Sequence, residues 1–243
     1  MEFCRGQHFL RTLVLAAFCV LGGFALAPLK ASSPDEPHRL SEPNQPDEKN
    51  QQEQPAEAPP KQLFAGKDLA GWEVVEQHVF DRHGKVFVDQ ESIVLEAGNP
   101  ATGVRWKGPL PRTNYELRLE AKRIDGSDFF CGLTFPVGDE YCTFIVGGWG
   151  GGTTGLSNID DLAAIENETT DYIQFQQDKW YAIRLRVTDD AITAWIDGKQ
   201  MLHVTRTDKK FSIWWEQEPL RPLGISTWYT HAAIRKVELV PAK

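Results

Sequence analysis

"NYELRLEAK", residues 114–122, decides the fold. Tyr115, Leu117, Leu119 and Ala121 alternate with Glu116, Arg118, Glu120 and Lys122. A period of two places each set on its own face, so the stretch is a β-strand with one buried side. "WYAIRLRV" (180–187) repeats the pattern with Tyr181, Ile183, Leu185 and Val187. "AITAWIDGKQMLHV" (191–204) is a hairpin, because Asp197-Gly198 supplies the positive-φ turn that matches strand twist. Further short strands are predicted over 85–88, 92–96, 103–106, 128–135, 141–146, 211–216, 223–229 and 234–240. Long helical patterns are scarce. Many short strands with turn signals between them give an all-β, two-sheet jelly-roll sandwich.

The strands occupy only the later part of the chain. At the N-terminus, Arg5 and Arg11 precede the apolar run 12–27, which ends Ala25-Leu26-Ala27. This is the pattern of a signal peptide over residues 1–27, and the run is too short and glycine-broken for a membrane span. Pro28 disfavours cleavage, which leaves an uncleaved anchor as the lesser reading. Phe18 before Cys19 argues against a lipoprotein site. Residues 28–60 form an acidic, proline-rich linker whose main part, Ser32 to Pro60, holds seven carboxylates against Arg39 and Lys49 and no aromatic side chain. Such a segment buries too little apolar surface to offset its ordering entropy. It carries most of the chain's net charge of −8. The acidic balance argues against a nucleic-acid partner. The folding domain is therefore residues 61–243. It retains Cys131 and Cys142, which either pair across a hairpin or remain two buried thiols.

The alternation also sorts the sandwich's faces. Phe129, Cys131, Leu133 and Phe135 are read as inward, as are Cys142, Phe144 and Val146, and Leu223 and Ile225. The opposite face is small and polar, punctuated by Trp149, Trp214 and Trp228. Flat indoles among hydroxyls suit the apolar faces and polar rims of sugar rings. From this face leads "GGWGGGTTGLSNIDDLAAIENETTDY" (147–172), read as a long ordered loop without regular structure that walls a groove. Its glycines admit close backbone approach. Its carboxylates and Asn167 offer oxygens to hydroxyls, to a proton or to a divalent metal ion, although the spacing matches no EF-hand. Asn167-Glu168-Thr169 is also a glycosylation sequon.

The opening "QLFAGKDLAGWEVV" (62–75) resembles "LFNGKDLSGW", the phrase that begins the domain family named for 3-keto-disaccharide hydrolases. The later order is similar too: "YELRLEAK", "SDFFCGLTFP", then "DKWYAIRLRVTDDAITAWIDGK". The resemblance spans residues 61–243. It implies a concanavalin A-like jelly roll of the kind found in exported bacterial proteins, acting on or binding sugars. Members cleave glycosides already oxidised to a ketone at C3, some by hydrolysis and some by metal-assisted elimination. Two positions depart from the pattern. "FFCGLTFP" stands where many members read like "NSGIFLR", and "YCTFIVGG" stands where they read like "YEVQILD", without its Glu and Gln.

The expected function is glycosidic-bond cleavage in an exported, periplasmic or cell-envelope protein with carbohydrate as its partner. Asp160, Glu166 and Glu216 are the candidate catalytic carboxylates. Trp149, Trp214, Trp228, Arg105, Asn167 and His231 are the candidate sugar contacts. The alternative is a non-catalytic, lectin-like module using the same tryptophans. A protein-interaction domain ranks third, because it has no use for the polar loop.

Overall fold

The computed structural model describes residues 59–242. The expected signal peptide, and the linker up to residue 58, lie outside the described residues. Fifteen strands are present among those described. In chain order they are β1 (Lys61–Phe64), β2 (Trp72–Val74), β3 (Val86–Asp89), β4 (Ser92–Leu95) and β5 (Ala101–Trp106). Then come β6 (Tyr115–Gly126), β7 (Cys131–Val137), β8 (Glu140–Gly148), β9 (Thr153–Ser157) and β10 (Asp171–Tyr172). The last are β11 (Tyr181–Val187), β12 (Ala191–Ile196), β13 (Lys199–Thr205), β14 (Gly224–Trp228) and β15 (Thr230–Pro241). Two 3-10 turns, His78–Phe80 and Trp215–Leu220, complete the regular structure.

The strands form two antiparallel sheets. One runs β13-β12-β11-β6-β15-β4-β3, with β1 added on β15, and the other runs β10-β9-β8-β7-β14-β5-β2. The opening strand of the sequence argument is β6, which pairs with β11 on one side and β15 on the other. Its inward set, Tyr115, Leu117, Leu119 and Ala121, is buried against Leu133, Phe135, Phe144 and Ile225 of the facing sheet in one continuous core. Burying such side chains supplies the main driving force, at about 25 cal/mol per Å² of apolar surface. The buried Tyr115 hydroxyl donates to the Pro136 carbonyl at 2.6 Å, so its one polar atom is satisfied.

Several details differ from the sequence reading or decide what it left open. Residues 211–216 do not form a strand. The place between β5 and β7 is filled by β14, and Phe211 makes only an isolated bridge to Ile159. Pro219 and Pro222, lacking N–H groups, favour the 3-10 turn and the extended exit that replace it. Residues 153–157, read as loop, are β9, paired along β8. Its one buried apolar side chain is Leu156, because Gly155 and the hydroxyl residues leave no hydrophobic alternation to read. Phe129 and Phe130 exchange faces. The chain bends before β7, with the Phe129 N–H capped by Asp128, so Phe130 enters the main core while Phe129 joins Ile145 and Ala164 on the other side. Finally, Cys131 and Cys142 are free, buried thiols. Cys131 pairs with Val146 and Cys142 with Phe135, four positions apart along the ladder. That is about 13 Å at ~3.3 Å per residue, beyond the ~7 Å reach of a disulfide.

Candidate functional site

The outer face of the seven-stranded sheet is paved with small residues. Gly132 on β7 lies under Ser226 on β14; a Cβ there would meet the Ser226 Oγ at 2.9 Å and the Phe129 ring at 3.0 Å. Thr134 and Thr143 share a hydrogen bond between their hydroxyls at 2.9 Å. This low pavement leaves space above it, and two elements enclose that space. The 3-10 turn Trp215–Leu220 is pinned by the Ser226 hydroxyl, which donates to Gln217 Oε1 at 2.7 Å. The segment 158–170 covers the sheet's other side, with Ala164 packed against Ile145 and Phe129.

Between them lies a cleft of about 280 Å³. Thr143, Ile145 and Ser157 form its floor; Trp149, Trp214, Trp228 and Phe129 form aromatic walls; Asp128, Glu216 and Gln217 supply polar groups. Trp149 is 42 % exposed, a large apolar cost that a ligand would relieve.

Asp128 is held in place from several directions. Its Oδ1 accepts the backbone N–H of Phe129 at 2.7 Å and of Trp149 at 3.2 Å. Burial raises its pKa above the ordinary aspartate value, opposed by these backbone donors and by the Arg123 charge. Glu216 brings a second carboxylate, whose Oε2 is buried with no hydrogen-bond partner among the described residues. A buried polar atom left unpaired inside a cleft is suited to a partner supplied by the ligand.

Arg123 supports the site from behind. It is only 5 % exposed. One amino group, Nη2, donates to the carbonyls of Asp128 (3.0 Å), Gly147 (3.0 Å) and Gly151 (2.8 Å). It thus fastens the glycine-rich turn that presents Trp149 to the segment that presents Asp128. Gly147 has φ +80, and a Cβ on it would come within 2.6 Å of this guanidinium. Burial pulls the Arg123 pKa down from the ordinary arginine value, with the Asp128 charge acting against it.

Of the residues named from sequence, Trp149, Trp214, Trp228 and Glu216 converge on this cleft. The other five lie outside its lining. Asp160 Oδ1 accepts the Lys210 backbone N–H at 2.9 Å, which makes it a staple of its own loop. Glu166 is exposed. Asn167 is consumed by architecture: its amide donates to the carbonyls of Leu156, Leu162 and Ala163, and its Oδ1 accepts from the Thr169 N–H and hydroxyl. Arg105 bridges Glu73 (3.0 Å) and the Pro219 carbonyl (3.3 Å), holding the 3-10 turn onto β5. His231, on β15, sits in register with Asp125 of β6, its Nε2 buried without a partner among the described residues. Of the segment 147–172, Trp149 and Ser157 line the cleft, and none of its carboxylates does.

Sequence reasoning passed over Asp128, Gln217 and Arg123. Arg123 carried a readable signal, since it continues the inward parity of Tyr115, Leu117, Leu119 and Ala121. An arginine at an inward position calls for buried acceptors. Asp128 had a weaker one, a carboxylate after the turn-forming Gly126-Ser127 and directly before two phenylalanines. The divalent-metal expectation finds no donor set: among the described residues no three His, Cys, Asp or Glu side chains come together to hold an ion.

Solved structures share this sandwich at low identity. A Crh5 transglycosylase in complex with NAG superposes with a TM-score of 0.50 at 14% identity, covering 76% of this chain and 88% of that one. Domain 4 of an extracellular arabinanase from Geobacillus stearothermophilus, in complex with arabinotriose, gives 0.47 at 13%, covering 70% and 82%. A carbohydrate-binding module from Bacillus subtilis gives 0.44 at 10%, covering 70% and 95%. At such identities the likeness is one of fold. No curated protein matches the chain. The model of one domain family matches residues 59–240, nearly everything the structure describes. By that match the chain belongs to the 3-keto-alpha-glucoside-1,2-lyase-like domain family, and so to the carbohydrate-active proteins.

Proposed function

We propose that the chain is an exported enzyme that cleaves the glycosidic bond of glycosides bearing a ketone at C3. The observation that supports this reading is the placing of Asp128 and Glu216 in one aromatic-walled cleft. A C3 ketone acidifies the hydrogen on C2. Glu216, with an unpaired buried oxygen, takes that proton, and the C–H electron pair passes into an enolate. As the enolate collapses, a C1=C2 double bond forms and the C1–O bond breaks. The departing oxygen takes its proton from Asp128, whose raised pKa favours the protonated form that this step needs. Water adding to C1 of the resulting enone would turn elimination into net hydrolysis. Trp149, Trp214 and Trp228 stack on the ring faces and hold the sugar in register.

The direct test is incubation of the purified protein with a 3-keto-α-glucoside, following enone absorbance and release of the aglycone. Asp128→Asn and Glu216→Gln should each lower turnover by about 10²- to 10⁴-fold. Turnover unchanged in both variants would overturn the assignment.

A second reading is a non-catalytic, lectin-like module. It is favoured by the two backbone N–H groups that already occupy Asp128 Oδ1. Sugar binding without any turnover by the wild-type protein would select it. The proposed export rests on residues 1–27 alone.

A further inference from the structure

The aromatic surface does not end at the cleft. Trp228 forms one wall, with its ring centroid 6.1 Å from Phe129 inside and 6.1 Å from Tyr229 outside, where the two rings meet edge to face. Tyr229 is not part of the cleft lining. It is 54 % exposed, and its backbone holds φ 44, a left-handed conformation that bulky side chains avoid. The strain is maintained from two sides. The Trp228 N–H donates to the Phe129 carbonyl at 3.1 Å, and the Tyr229 N–H donates to the Pro100 carbonyl at 2.7 Å. Beside the ring, the Tyr229 hydroxyl lies 3.5 Å from Asn99 Oδ1. A fold that keeps a strained, solvent-facing tyrosine where glycine would be at ease invites a functional explanation. Trp149, on the cleft's own wall, shows the same pairing of exposure with a positive φ of 45.

We infer that Tyr229 and Asn99 form an outer sugar subsite, continuous with the cleft through Trp228. The ligand is therefore an oligosaccharide longer than a disaccharide. The inference rests on the carbohydrate reading of the cleft. The cleft's volume of about 280 Å³ falls at the small end of ligand sites, so the inner rings of such a ligand fill it. The next ring leaves over Trp228 and lies on the tyrosine face, with its hydroxyls beside Asn99 and the phenol. A ring pre-set by two backbone hydrogen bonds loses little freedom on binding, which is how a rigid aromatic shelf adds affinity.

The test is titration calorimetry with unoxidised α-linked gluco-oligosaccharides of two, three and four units, which lack the C3 ketone and so bind without being cleaved. The wild-type protein should bind the trisaccharide about tenfold more tightly than the disaccharide. Tyr229→Gly should abolish that increment, leave disaccharide affinity unchanged and leave the melting temperature unchanged or raised, because glycine relieves the strain. Tyr229→Phe should keep most of the increment. Equal affinity for all lengths in the wild type, or an increment that survives in Tyr229→Gly, overturns the subsite while leaving the cleft's sugar reading standing. Failure of every length to bind the wild type overturns both.

Discussion

The backbone N–H of Trp149 donates to Oδ1 of Asp128 at 3.2 Å, so the residue that carries the exposed indole is tied directly to the half-buried carboxylate. The apolar wall and the acid are set by the same few atoms, and Arg123 clamps both segments from beneath. Binding surface and candidate chemistry are therefore coupled, and each can be tested through the other.

Asp128 should leave a signature in the pH dependence of stability. Its folded pKa is raised by burial. In the window between the unfolded and folded values the native state holds more proton, so this group's contribution weakens as pH rises through that window. Below the unfolded value the ionisation cost is absent. Melting temperatures of wild type and Asp128→Asn, compared from acid to neutral pH, should show the wild type losing ground to the variant as pH rises. A pH-independent difference would mean the carboxylate is not destabilised by its surroundings.

Arg123→Met should be costly. It removes a charged donor from the buried Gly147 carbonyl and the half-buried Gly151 carbonyl, while the Asp128 carbonyl keeps the Thr230 hydroxyl, and the expected loss is about 2 to 4 kcal/mol. Urea denaturation measures this. Intrinsic fluorescence should also change, as the turn carrying Trp149 loses its anchor. A loss below half a kcal/mol would show that the carbonyls find water instead.

Trp149→Ala should separate binding from folding. The indole is largely outside the core, so the melting temperature should barely move, while sugar affinity falls by about 1 to 3 kcal/mol. Calorimetry reads the affinity. Wild-type affinity in the variant would remove Trp149 from the site.

The carboxylates of segment 158–170 should be silent in turnover. Asp160→Asn and Glu166→Gln touch nothing in the cleft, and activity within about twofold of wild type is expected. Asn167→Ala should behave differently, because it deletes the hub of five hydrogen bonds, with about 2 kcal/mol lost and faster amide exchange across residues 158–170. Near-normal exchange there would show that the segment is held by Ala164 and Ile159 packing alone.

The two cysteines should resist alkylation until the protein unfolds. Burial pushes the Cys131 thiol up to about 12 and also raises Cys142, so neither offers thiolate at neutral pH. Native protein should show almost no reaction with a thiol reagent. Denatured protein containing residues 61–243 should then titrate both without a reductant. Rapid native reaction at either would place it outside the core.

Much of the fold was legible because strand burial is written locally. The alternation in 114–122 places Tyr115, Leu117, Leu119 and Ala121 inward with no knowledge of their partners, and Asp197-Gly198 marks its own hairpin. Among the groove's tryptophans Trp228 was legible for the same reason, since it follows the parity of β14, whereas Trp149 stands on a turn past the end of β8 and its bulge. What the sequence could not settle were matters of register and of chain reversal. Whether Cys131 lies opposite Cys142 depends on which residues of β7 and β8 pair, and four positions of offset leave no trace in composition. Whether 211–216 becomes a strand depends on which segment fills the place between β5 and β7, and β14 fills it. The acid at the site belongs to this second class. Asp128 sits at a bend, where alternation gives no direction. Its companions Glu216 and Trp149 come from separate parts of the chain, because non-local packing alone decides which carboxylates share the cleft and which, like Asp160 and Glu166, stay outside it.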